Sequence, residues 1–365
     1  MPLRFRVSLL IPLMVALLLF EACLRIFQSD ILPFVGQAHQ RCIYIADRQT
    51  GYRYKPNSTG LIRRNFEIDN IVRINSSGFH DIERMPFIPD DTNRHIVVIG
   101  DSFTAELMVT VSKTWTQILE REIARSGDAP HVDVINLGLD GTGTDVHLTL
   151  LQENVLTYRP DIVILAFFEN DLQDIQRKME YRECYRDYVM VYADRSQLEI
   201  LKGFVDEYAP SPIENWLWRS AYTYRVLITL YSKFLQNDSG TARLLSSNFV
   251  TPSAGNLSFD WYSEPADDLE SLFARFSSLS KEHGFRFVVV PIPTKASMTG
   301  SLDVLMSSLS AQTLRDIDVI AVLPELTRLL DAEHTSYREL FWAHDGHLNE
   351  KGNEMLGVAL SKALQ

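Results

Sequence analysis

The stretch Ile96-Val97-Val98-Ile99-Gly100-Asp101-Ser102 decides the fold of this chain. Four consecutive apolar residues are typical of an interior strand of a parallel sheet, and Gly100 permits a sharp exit from it. Apolar residues at helical spacing then predict a helix that ends near Ser126-Gly127. This order places Ser102 at the carboxyl edge of a sheet, where open α/β folds bind their ligands. A plain helix cap formed by Asp101 or Ser102 is equally compatible with the short Gly-Asp-Ser string.

The alternation of strand and helix continues along most of the chain. Strands are predicted at 95–99, 132–137 and 161–168, and helices at 114–126 and 145–157. A helix near 266–283, strands at 285–290 and 318–322, and a helix over 350–364 follow later. This pattern predicts an α/β fold with a doubly wound, central parallel sheet. Residues 175–262 interrupt it, and we predict that they form an inserted, lid-like segment at one sheet edge.

Composition limits the possible partners. The chain has 365 residues, 46% of them hydrophobic, so it can bury a large core. A formal net charge of −12 without a basic run argues against binding to nucleic acid. Cys42 and Cys184 either pair in an oxidising compartment or remain two buried thiols. Residues 28–93 are rich in turn formers and are predicted to be a stem or accessory segment that ends in a linker at 85–91.

The amino terminus indicates a compartment. Arg4 and Arg6 precede an uncharged run over 7–20, which favours an uncleaved signal anchor at 1–27 over a cleaved signal peptide. Because the basic end of such a segment stays in the cytoplasm, the body is expected on the extracytoplasmic side, periplasmic or extracellular. The predicted partners therefore include the membrane, through this segment.

The insertion contains two further patterns. Tyr181, Tyr185, Tyr188 and Tyr192 are spaced by four, three and four residues, which predicts one helical face. That face would pack onto the main domain or, as the sharper alternative, stack against a sugar. An amphipathic run over 216–234 is predicted to be core or lid rather than a helix on a membrane surface.

Three other segments are predicted to reach the same sheet edge as Ser102. The second strand runs into Asn136-Leu137-Gly138-Leu139-Asp140-Gly141, where glycines let backbone N–H groups approach a ligand. The third strand ends in Phe168-Glu169-Asn170-Asp171, and His344-Asp345-Gly346-His347 precedes the last helix. The sequence therefore predicts that a hydroxyl, an amide, a carboxylate and an imidazole meet at one edge.

These four segments together resemble the sequence blocks of the SGNH (GDSL-type) hydrolases. The blocks are Gly100-Asp101-Ser102-Phe103, Asn136 to Gly141, Glu169-Asn170-Asp171 and Asp345-Gly346-His347, and the resemblance covers about 94–174 and 265–365. It implies a flavodoxin-like α/β/α sandwich, the SGNH hydrolase fold. The 75–81 stretch resembles an Asn-x-x-Gly-x-x-Asp segment of membrane-anchored members, a weaker similarity.

The resemblance also implies roles for single residues. Ser102 would be the nucleophile and His347 its general base, with Asp345 orienting the imidazole. The backbone N–H groups of Ser102 and Gly141 and the side chain of Asn170 would form the oxyanion hole. Gly138 is expected to serve the turn, and Gly141 to be the donor.

Two departures from the family pattern affect these roles. The family usually has Asp-x-x-His, whereas this chain has one residue fewer between Asp345 and His347. Phe168 stands where the family has glycine, and we expect it to narrow the acyl pocket. Asp171 has either a role in the chemistry or the simpler role of a helix cap. His344 is either a substitute base or a solvated loop residue, and Lys295 either contacts the substrate or is a solvated loop residue, with the solvated residue as the simpler role of both.

The expected function is a serine esterase that hydrolyses or transfers small acyl groups. Its substrate would be an acyl ester, with an acylated glycan as one option. The alternative is an inactive anchored scaffold that binds an envelope glycan or a protein partner. We expect no metal and no cofactor, because the Ser-His-Asp mechanism needs neither.

Overall fold

The computed structural model describes residues 3–27, 39–64, 67–84, 93–127, 131–175, 179–234, 249–250 and 268–364. Helix α1 (Leu3–Ile26) covers the segment predicted as an anchor. Among the residues whose side chains are described, no helix has both the length and the apolar character needed to cross a bilayer. The linker predicted at 85–91 lies outside the described residues.

Residues 39–84 form an accessory layer that packs on the main domain. Its strands are β1 (His39–Arg41), β2 (Tyr44–Asp47), β3 (Gly51–Tyr54), β4 (Thr59–Arg64) and β5 (Ile68–Arg73). Strands β2 and β3 form an antiparallel hairpin, and β1, β4 and β5 form a small antiparallel sheet. Tyr44, Ile68 and Val72 are buried in the same apolar cluster as the inward-facing residues of the central sheet.

The first half of the main domain follows the predicted order. Its elements are β6 (Arg94–Gly100), α2 (Ser102–Ala105), α3 (Trp115–Ser126), β7 (Val132–Asn136), α4 (Thr144–Glu153), β8 (Ile162–Phe167) and α5 (Asp171–Ile175). The helix predicted over 145–157 is divided, because α4 is followed by a short 3₁₀ helix, Val155–Tyr158. Thr114 caps α3 by accepting a hydrogen bond from the N–H of Gln117.

In its described residues, the insertion has two strands followed by three helices. These are β9 (Tyr181–Tyr185), β10 (Tyr188–Tyr192), α6 (Ser196–Tyr208), α7 (Pro212–Ser220) and α8 (Tyr222–Phe234), with β11 (Phe249–Val250) added beside β10. The amphipathic run predicted over 216–234 is thus two helices. The break has a structural cause, since the Glu21 carboxylate of α1 accepts hydrogen bonds from the N–H groups of Tyr222 and Thr223 and caps α8.

The prediction that four tyrosines share a helical face is wrong. Strands β9 and β10 pair in an antiparallel hairpin, with Tyr181 opposite Tyr192 and Tyr185 opposite Tyr188. The spacing of four, three and four is symmetric about its centre, so a two-residue turn converts it into cross-strand pairs. Arg186 supplies the positive φ of 57° in that turn. Helical periodicity fits the same spacing, and here the β-branched and aromatic composition of 188–192 favours the strand.

The second half restores the alternation of helix and strand. Its elements are α9 (Leu269–His283), β12 (Arg286–Pro291), α10 (Gly300–Ser308), α11 (Ala311–Asp316), β13 (Asp318–Val319), α12 (Leu323–Ala332) and α13 (Glu350–Ala363). Strand β13 is shorter than the predicted 318–322, because α12 begins at Leu323 with a proline in its first turn.

The central sheet confirms the predicted fold class. Its five strands are parallel and lie in the order β13-β12-β8-β6-β7. Numbered along the chain, this is the flavodoxin-like order 2-1-3-4-5. Val97 of β6 is opposite Ile135 of β7 and Val163 of β8, so β6 is fully interior. The order reverses beside β6, and ligands of open α/β sheets bind in the crevice at such a point.

Two apolar layers cover the sheet and make it a three-layer sandwich. Successive side chains of a strand point to opposite faces, so Val97 and Ile99 lie in one layer and Ile96 and Val98 in the other. Helices α4 and α9 and the accessory layer cover the first face. Helices α3, α12 and α13 cover the second face. This packing leaves the carboxyl end of β6 as the open edge.

Candidate active site

Ser102 is the first residue of α2, directly after β6. The turn before it is tight, since a Cβ on Gly100 would lie 2.2 Å from the hydroxyl oxygen of Thr104. Asp101 caps α2, its Oδ1 accepting a hydrogen bond of 2.9 Å from the N–H of Phe103. The cap therefore belongs to Asp101, whose Oδ2 also lies 3.5 Å from the Oγ of Ser102.

His347 joins the serine to a carboxylate. Its Nε2 lies 2.9 Å from the Oγ of Ser102, and its Nδ1 lies 2.5 Å from the Oδ1 of Asp345. The backbone N–H of His347 donates to the same Oδ1 at 3.0 Å, so the carboxylate reaches both groups in spite of the short spacing. The hydroxyl, the imidazole and the carboxylate thus form a continuous hydrogen-bonded chain.

Asp345 is held in its charged form. Burial by itself raises the pKa of Asp345, but the hydrogen bonds and charge of His347, together with the guanidinium of Arg64, hold that pKa well below its usual range. The Nη1 of Arg64 lies 3.4 Å from the Oδ2 of Asp345. An ionised carboxylate accepts from the imidazole, so the other ring nitrogen is free to accept the proton of a hydroxyl.

Lys295 fixes the loop that carries this pair. Its ammonium donates to the carbonyl oxygens of Trp342, Ala343 and Asp345 at 2.6, 2.7 and 3.0 Å. A solvated lysine and a contact to substrate were the two sequence expectations for Lys295. The structure instead gives it a role in shaping the loop before His347, and no motif in the sequence indicates that role.

An aromatic stack supports the imidazole. The ring of Phe103 stacks on His347 with centroids 4.7 Å apart and on Phe168 with centroids 3.8 Å apart. Phe168 was expected to narrow the acyl pocket, but it is not among the residues that line the cavity described below. Its ring instead buttresses Phe103 from behind.

A cavity of about 240 Å³ opens beside the serine. Ser102, His347 and Gly141, which were predicted as the nucleophile, the base and one oxyanion donor, are among its lining residues. The remaining lining residues divide into an apolar group and a charged group: Ile62, Leu107 and Met108, then Arg64, Asp140 and Arg182. The volume and the apolar group suit a short acyl chain.

The two glycines of the second block have different surroundings. Gly141 has φ +70° and faces the cavity. Gly138 is turned to the interior, where a Cβ would lie 2.3 Å from the backbone nitrogen of Ala105. The N–H of Gly138 also donates to the Oδ1 of Asn136 at 2.9 Å. Gly141 is therefore the glycine of this block that can contribute to an oxyanion hole.

Asn170 lies close to the serine but faces a different group. Its amide donates to the Oδ2 of Asp174 at 3.1 Å and also hydrogen-bonds Asp101. It is not among the cavity-lining residues, so its part in an oxyanion hole stays a prediction.

Burial raises the pKa of Asp101 to about 6. A buried carboxylate with a raised pKa thus directly precedes Ser102 in the chain.

His344 takes the simpler of its predicted roles, whereas the contacts of Asp171 do not show a helix cap. Asp171 begins α5, is fully buried and accepts from the N–H of Phe168 at 3.4 Å. Burial, with the charge of Asp101, raises the pKa of Asp171 well above its usual range. His344 is exposed, and its backbone N–H donates to Glu67. Its side chain is not among those that line the cavity.

Sequence reasoning missed the charged wall of the cavity. Arg64 comes from the accessory layer and Arg182 from the inserted hairpin. Neither arginine lies in one of the four sequence blocks. One belongs to a turn-rich segment and the other to an insertion, and no sequence pattern distinguishes them from surface arginines. The structure also joins these two segments by a disulfide between Cys42 and Cys184, which was one of the two possibilities for these cysteines.

Comparison with known proteins finds likeness at the level of solved structures. No protein-family model and no curated protein sequence matches the chain. A putative lipolytic protein of the G-D-S-L family from Desulfitobacterium hafniense is 14% identical, with a TM-score of 0.35 over 74% of this chain and 99% of its own. A lipase/acylhydrolase from Enterococcus faecalis is 16% identical, with a TM-score of 0.36 over 74% and 94%.

An acetyl xylan esterase is 11% identical, with a TM-score of 0.34 over 74% of this chain and all of its own. The name of the first of these structures is that of the hydrolase group that the four sequence blocks resemble. At such identities and TM-scores they do not define what this chain does, and the case for its chemistry rests on the geometry around Ser102.

Proposed function

We propose that the chain is a serine esterase that cleaves small acyl esters through Ser102, His347 and Asp345. The observation that carries the proposal is the hydrogen-bonded chain from Oγ through the imidazole to Oδ1, with contacts of 2.9 and 2.5 Å at the edge of a cavity. A serine hydroxyl is a weak nucleophile on its own, and a base within hydrogen-bonding distance activates it. The alternative, an inactive scaffold, gives no reason for this alignment.

The mechanism follows from the positions of these groups. The Oγ of Ser102 attacks the ester carbonyl while the Nε2 of His347 takes its proton, and the charge of Asp345 stabilises the imidazolium. The carbonyl oxygen becomes an oxyanion, which the N–H groups of Ser102 and Gly141 would bind, with Asn170 as the third predicted donor. His347 returns the proton to the leaving alcohol, and an acyl group remains on Ser102.

The second half of the reaction determines whether the enzyme hydrolyses or transfers. Water, or a glycan hydroxyl, attacks the acyl-enzyme, and His347 again takes and returns the proton. The substrate in this proposal is an ester of a short acyl group, with an acylated glycan as a candidate. The apolar residues Ile62, Leu107 and Met108 would surround the acyl chain.

The experiment is turnover of p-nitrophenyl acetate by the purified protein. We expect Ser102→Ala and His347→Ala each to lose at least about 10³-fold in kcat/KM. Ser307→Ala and His344→Ala are matched controls at exposed positions and should keep wild-type rates. A fluorophosphonate probe should label the wild type and leave Ser102→Ala unlabelled. Equal rates in all five proteins would reject the esterase and favour the scaffold.

Transfer and hydrolysis are separated by the products. With an acyl ester and a methyl glycoside present together, a hydrolase releases free acid, whereas a transferase forms the acylated glycoside. Mass spectrometry of the sugar gives the ratio of the two products. Ser102→Ala, which lacks the nucleophile, provides the background.

We also propose that the body lies on the extracytoplasmic side, attached to the membrane through its N-terminal segment. The support is the basic start with its uncharged run over 7–20, and the disulfide between Cys42 and Cys184, since disulfides persist in oxidising compartments. Fused at the C-terminus, alkaline phosphatase should be active and a green fluorescent protein dark. An inactive phosphatase fusion and a fluorescent protein fusion would place the body in the cytoplasm. Release of the protein from membranes by high salt would reject the membrane attachment.

A further inference from the structure

The turn that carries Gly141 is enclosed by three tyrosine hydroxyls. Tyr54 donates to the Oδ1 of Asp140 at 2.6 Å, and Tyr44 donates to the Oδ2 of Asp140 at 2.8 Å. Tyr54 also accepts from the N–H of Asp140 at 3.0 Å. The hydroxyl of Tyr52 lies 2.5 Å from the carbonyl oxygen of Asp140 and 3.1 Å from that of Gly141. The β2–β3 hairpin therefore binds both the side chain of Asp140 and the backbone of this turn.

Arg182 completes the enclosure from the insertion. Its Nη1 donates to the Oδ2 of Asp140 at 3.2 Å, and Glu180 binds the same guanidinium. The guanidinium lies over the ring of Tyr52, 4.1 Å from its centroid. A Cβ on Gly141 would lie 2.8 Å from the Nη2 of Arg182, so the arginine packs directly on the glycine. We call Tyr44, Tyr52, Tyr54 and Arg182 the tyrosine cage.

The cage is buried, so its polar groups need hydrogen-bond partners within the protein. Each of its tyrosines is at most 2% exposed, and Arg182 is 8% exposed. Burial, with the charge of Asp140, raises the pKa of Tyr54 well above its usual range, so the hydroxyl keeps its proton and remains a donor. A buried hydroxyl costs stability unless it is hydrogen-bonded, and phenylalanine would fill the same space without that cost. The hydroxyls converge on a turn of two residues beside Ser102.

We propose that the tyrosine cage fixes the position of the Gly141 N–H and that its members are positioning residues of the oxyanion hole. This inference rests on the proposed function. An oxyanion hole works because its donors are already in place before charge develops. Gly141 has a positive φ, and glycine does not favour one backbone conformation by itself, so neighbouring groups must hold it.

The disulfide joins the two halves of the cage. Cys42 lies two residues before Tyr44, and Cys184 lies two residues after Arg182. The bond therefore connects the β2–β3 hairpin to the β9–β10 hairpin across 142 positions of sequence. By this inference the accessory layer and the insertion are parts of the active site rather than attachments to it.

The test uses Tyr54→Phe and Tyr44→Phe, each of which removes one hydroxyl that donates to Asp140. The control is Tyr192→Phe in the inserted hairpin, which removes a hydroxyl–carboxylate contact with Glu183 of 3.1 Å, outside the cage. Steady-state turnover of p-nitrophenyl acetate is divided by the number of sites that react to completion with a fluorophosphonate. KM, the pH profile of kcat and the unfolding temperature are measured for each protein.

We expect kcat per titrated site to fall about 10- to 100-fold in both cage variants, because a displacement of about 1 Å in a catalytic group has effects of that size. KM and the pH profile should stay at wild-type values, since the His347–Asp345 pair is untouched. The rate of fluorophosphonate labelling should fall with kcat. Tyr192→Phe should match the wild type in kcat and labelling rate.

Unchanged kcat per titrated site in the cage variants would overturn the inference, even if the variants unfold at a lower temperature. Arg182→Lys keeps the charge and loses the planar fork, and it serves as the second variant if a phenylalanine variant does not fold. A fall in kcat with a wild-type pH profile is again the expected result. A wild type without Ser102-dependent turnover would instead reject the proposed function, and the inference would fall with it.

Discussion

The Nε2 of His347 lies 2.9 Å from the Oγ of Ser102, although the two residues are 245 positions apart. The fold explains their meeting. Ser102 lies two residues after the end of β6, and His347 lies three residues before the start of α13, whose cap residue is Asn349. Helix α13 buries Leu356 against the same layer as Trp115 of α3. The contact between the nucleophile and its candidate base is therefore a consequence of packing on one face of the sheet.

Asp345→Asn removes the negative charge of this side chain and nearly keeps its shape, so it tests whether the charge is needed for activity. The amide can donate to the Nδ1 of His347, which favours the tautomer with its proton on Nε2, and that tautomer cannot accept the proton of Ser102. We expect kcat of the folded variant to fall at least about 10³-fold. Asp331→Asn, an exposed carboxylate on α12, is the control. Wild-type kcat in Asp345→Asn would remove this carboxylate from the mechanism.

Asn170→Ala tests the third predicted oxyanion donor. The amide is held by Asp174 at 3.1 Å, and the catalytic cycle would need one of its hydrogens at the oxyanion. If Asn170 is that donor, its removal lowers kcat about 10²- to 10³-fold, and this is the result we expect. Asp174→Asn keeps Asn170 and removes the charge of the carboxylate to which its amide donates, so a smaller loss of about tenfold is expected. Wild-type kcat in Asn170→Ala would leave Ser102 and Gly141 as the donors.

The parts of the fold that were predictable have strong local patterns. The strand at 95–99 is continuous and apolar, and the helix at 114–126 has an apolar stripe and a threonine cap, so both were placed within a residue or two. The alternation of strands and helices around them then indicated the class of the sheet. His347 and Gly141 were predictable for a related reason, since each belongs to a short block at the end of a strand or before a helix.

The elements that sequence reasoning placed wrongly depend on tertiary contacts or on ambiguous periodicity. The tyrosine spacing of the β9–β10 hairpin fits a helix and a hairpin equally, and the strand pairing decides between them. The break before α8 depends on Glu21, about 200 positions away. Arg182 and Lys295 act through contacts to Asp140 and to the carbonyl oxygens of the His347 loop. Such contacts leave no local pattern.

The disulfide should stabilise the fold. A double variant, Cys42→Ser with Cys184→Ser, should lose about 2–4 kcal/mol in the free energy of unfolding, because the bond restricts the unfolded chain over 142 positions. Cys23 is an exposed free cysteine, so Cys23→Ser should unfold like the wild type. Urea titration with and without a reductant measures both effects. The same midpoint for oxidised and reduced wild type would contradict this prediction.

His80 should make the protein sensitive to mild acid. It is 1% exposed, its Nδ1 lies 2.8 Å from the carbonyl oxygen of Ala105, and burial lowers its pKa to about 4. In the unfolded chain the imidazole of His80 binds a proton near pH 6.5. In the folded chain it stays neutral until the pH falls to about 4. The stability present above pH 6.5 is therefore lost as the pH falls, by up to about 3 kcal/mol near pH 4.

The variant His80→Gln removes this proton uptake from the folding equilibrium. The difference in unfolding free energy between pH 7 and pH 4.5 should shrink by about 2 kcal/mol relative to the wild type. His147, whose pKa burial lowers to about 3, retains its own contribution, so some acid sensitivity should remain. His283→Gln, at an exposed position in α9, should keep the wild-type dependence. Urea midpoints across this pH range measure it, and an unchanged slope in His80→Gln would show that the acid sensitivity arises elsewhere.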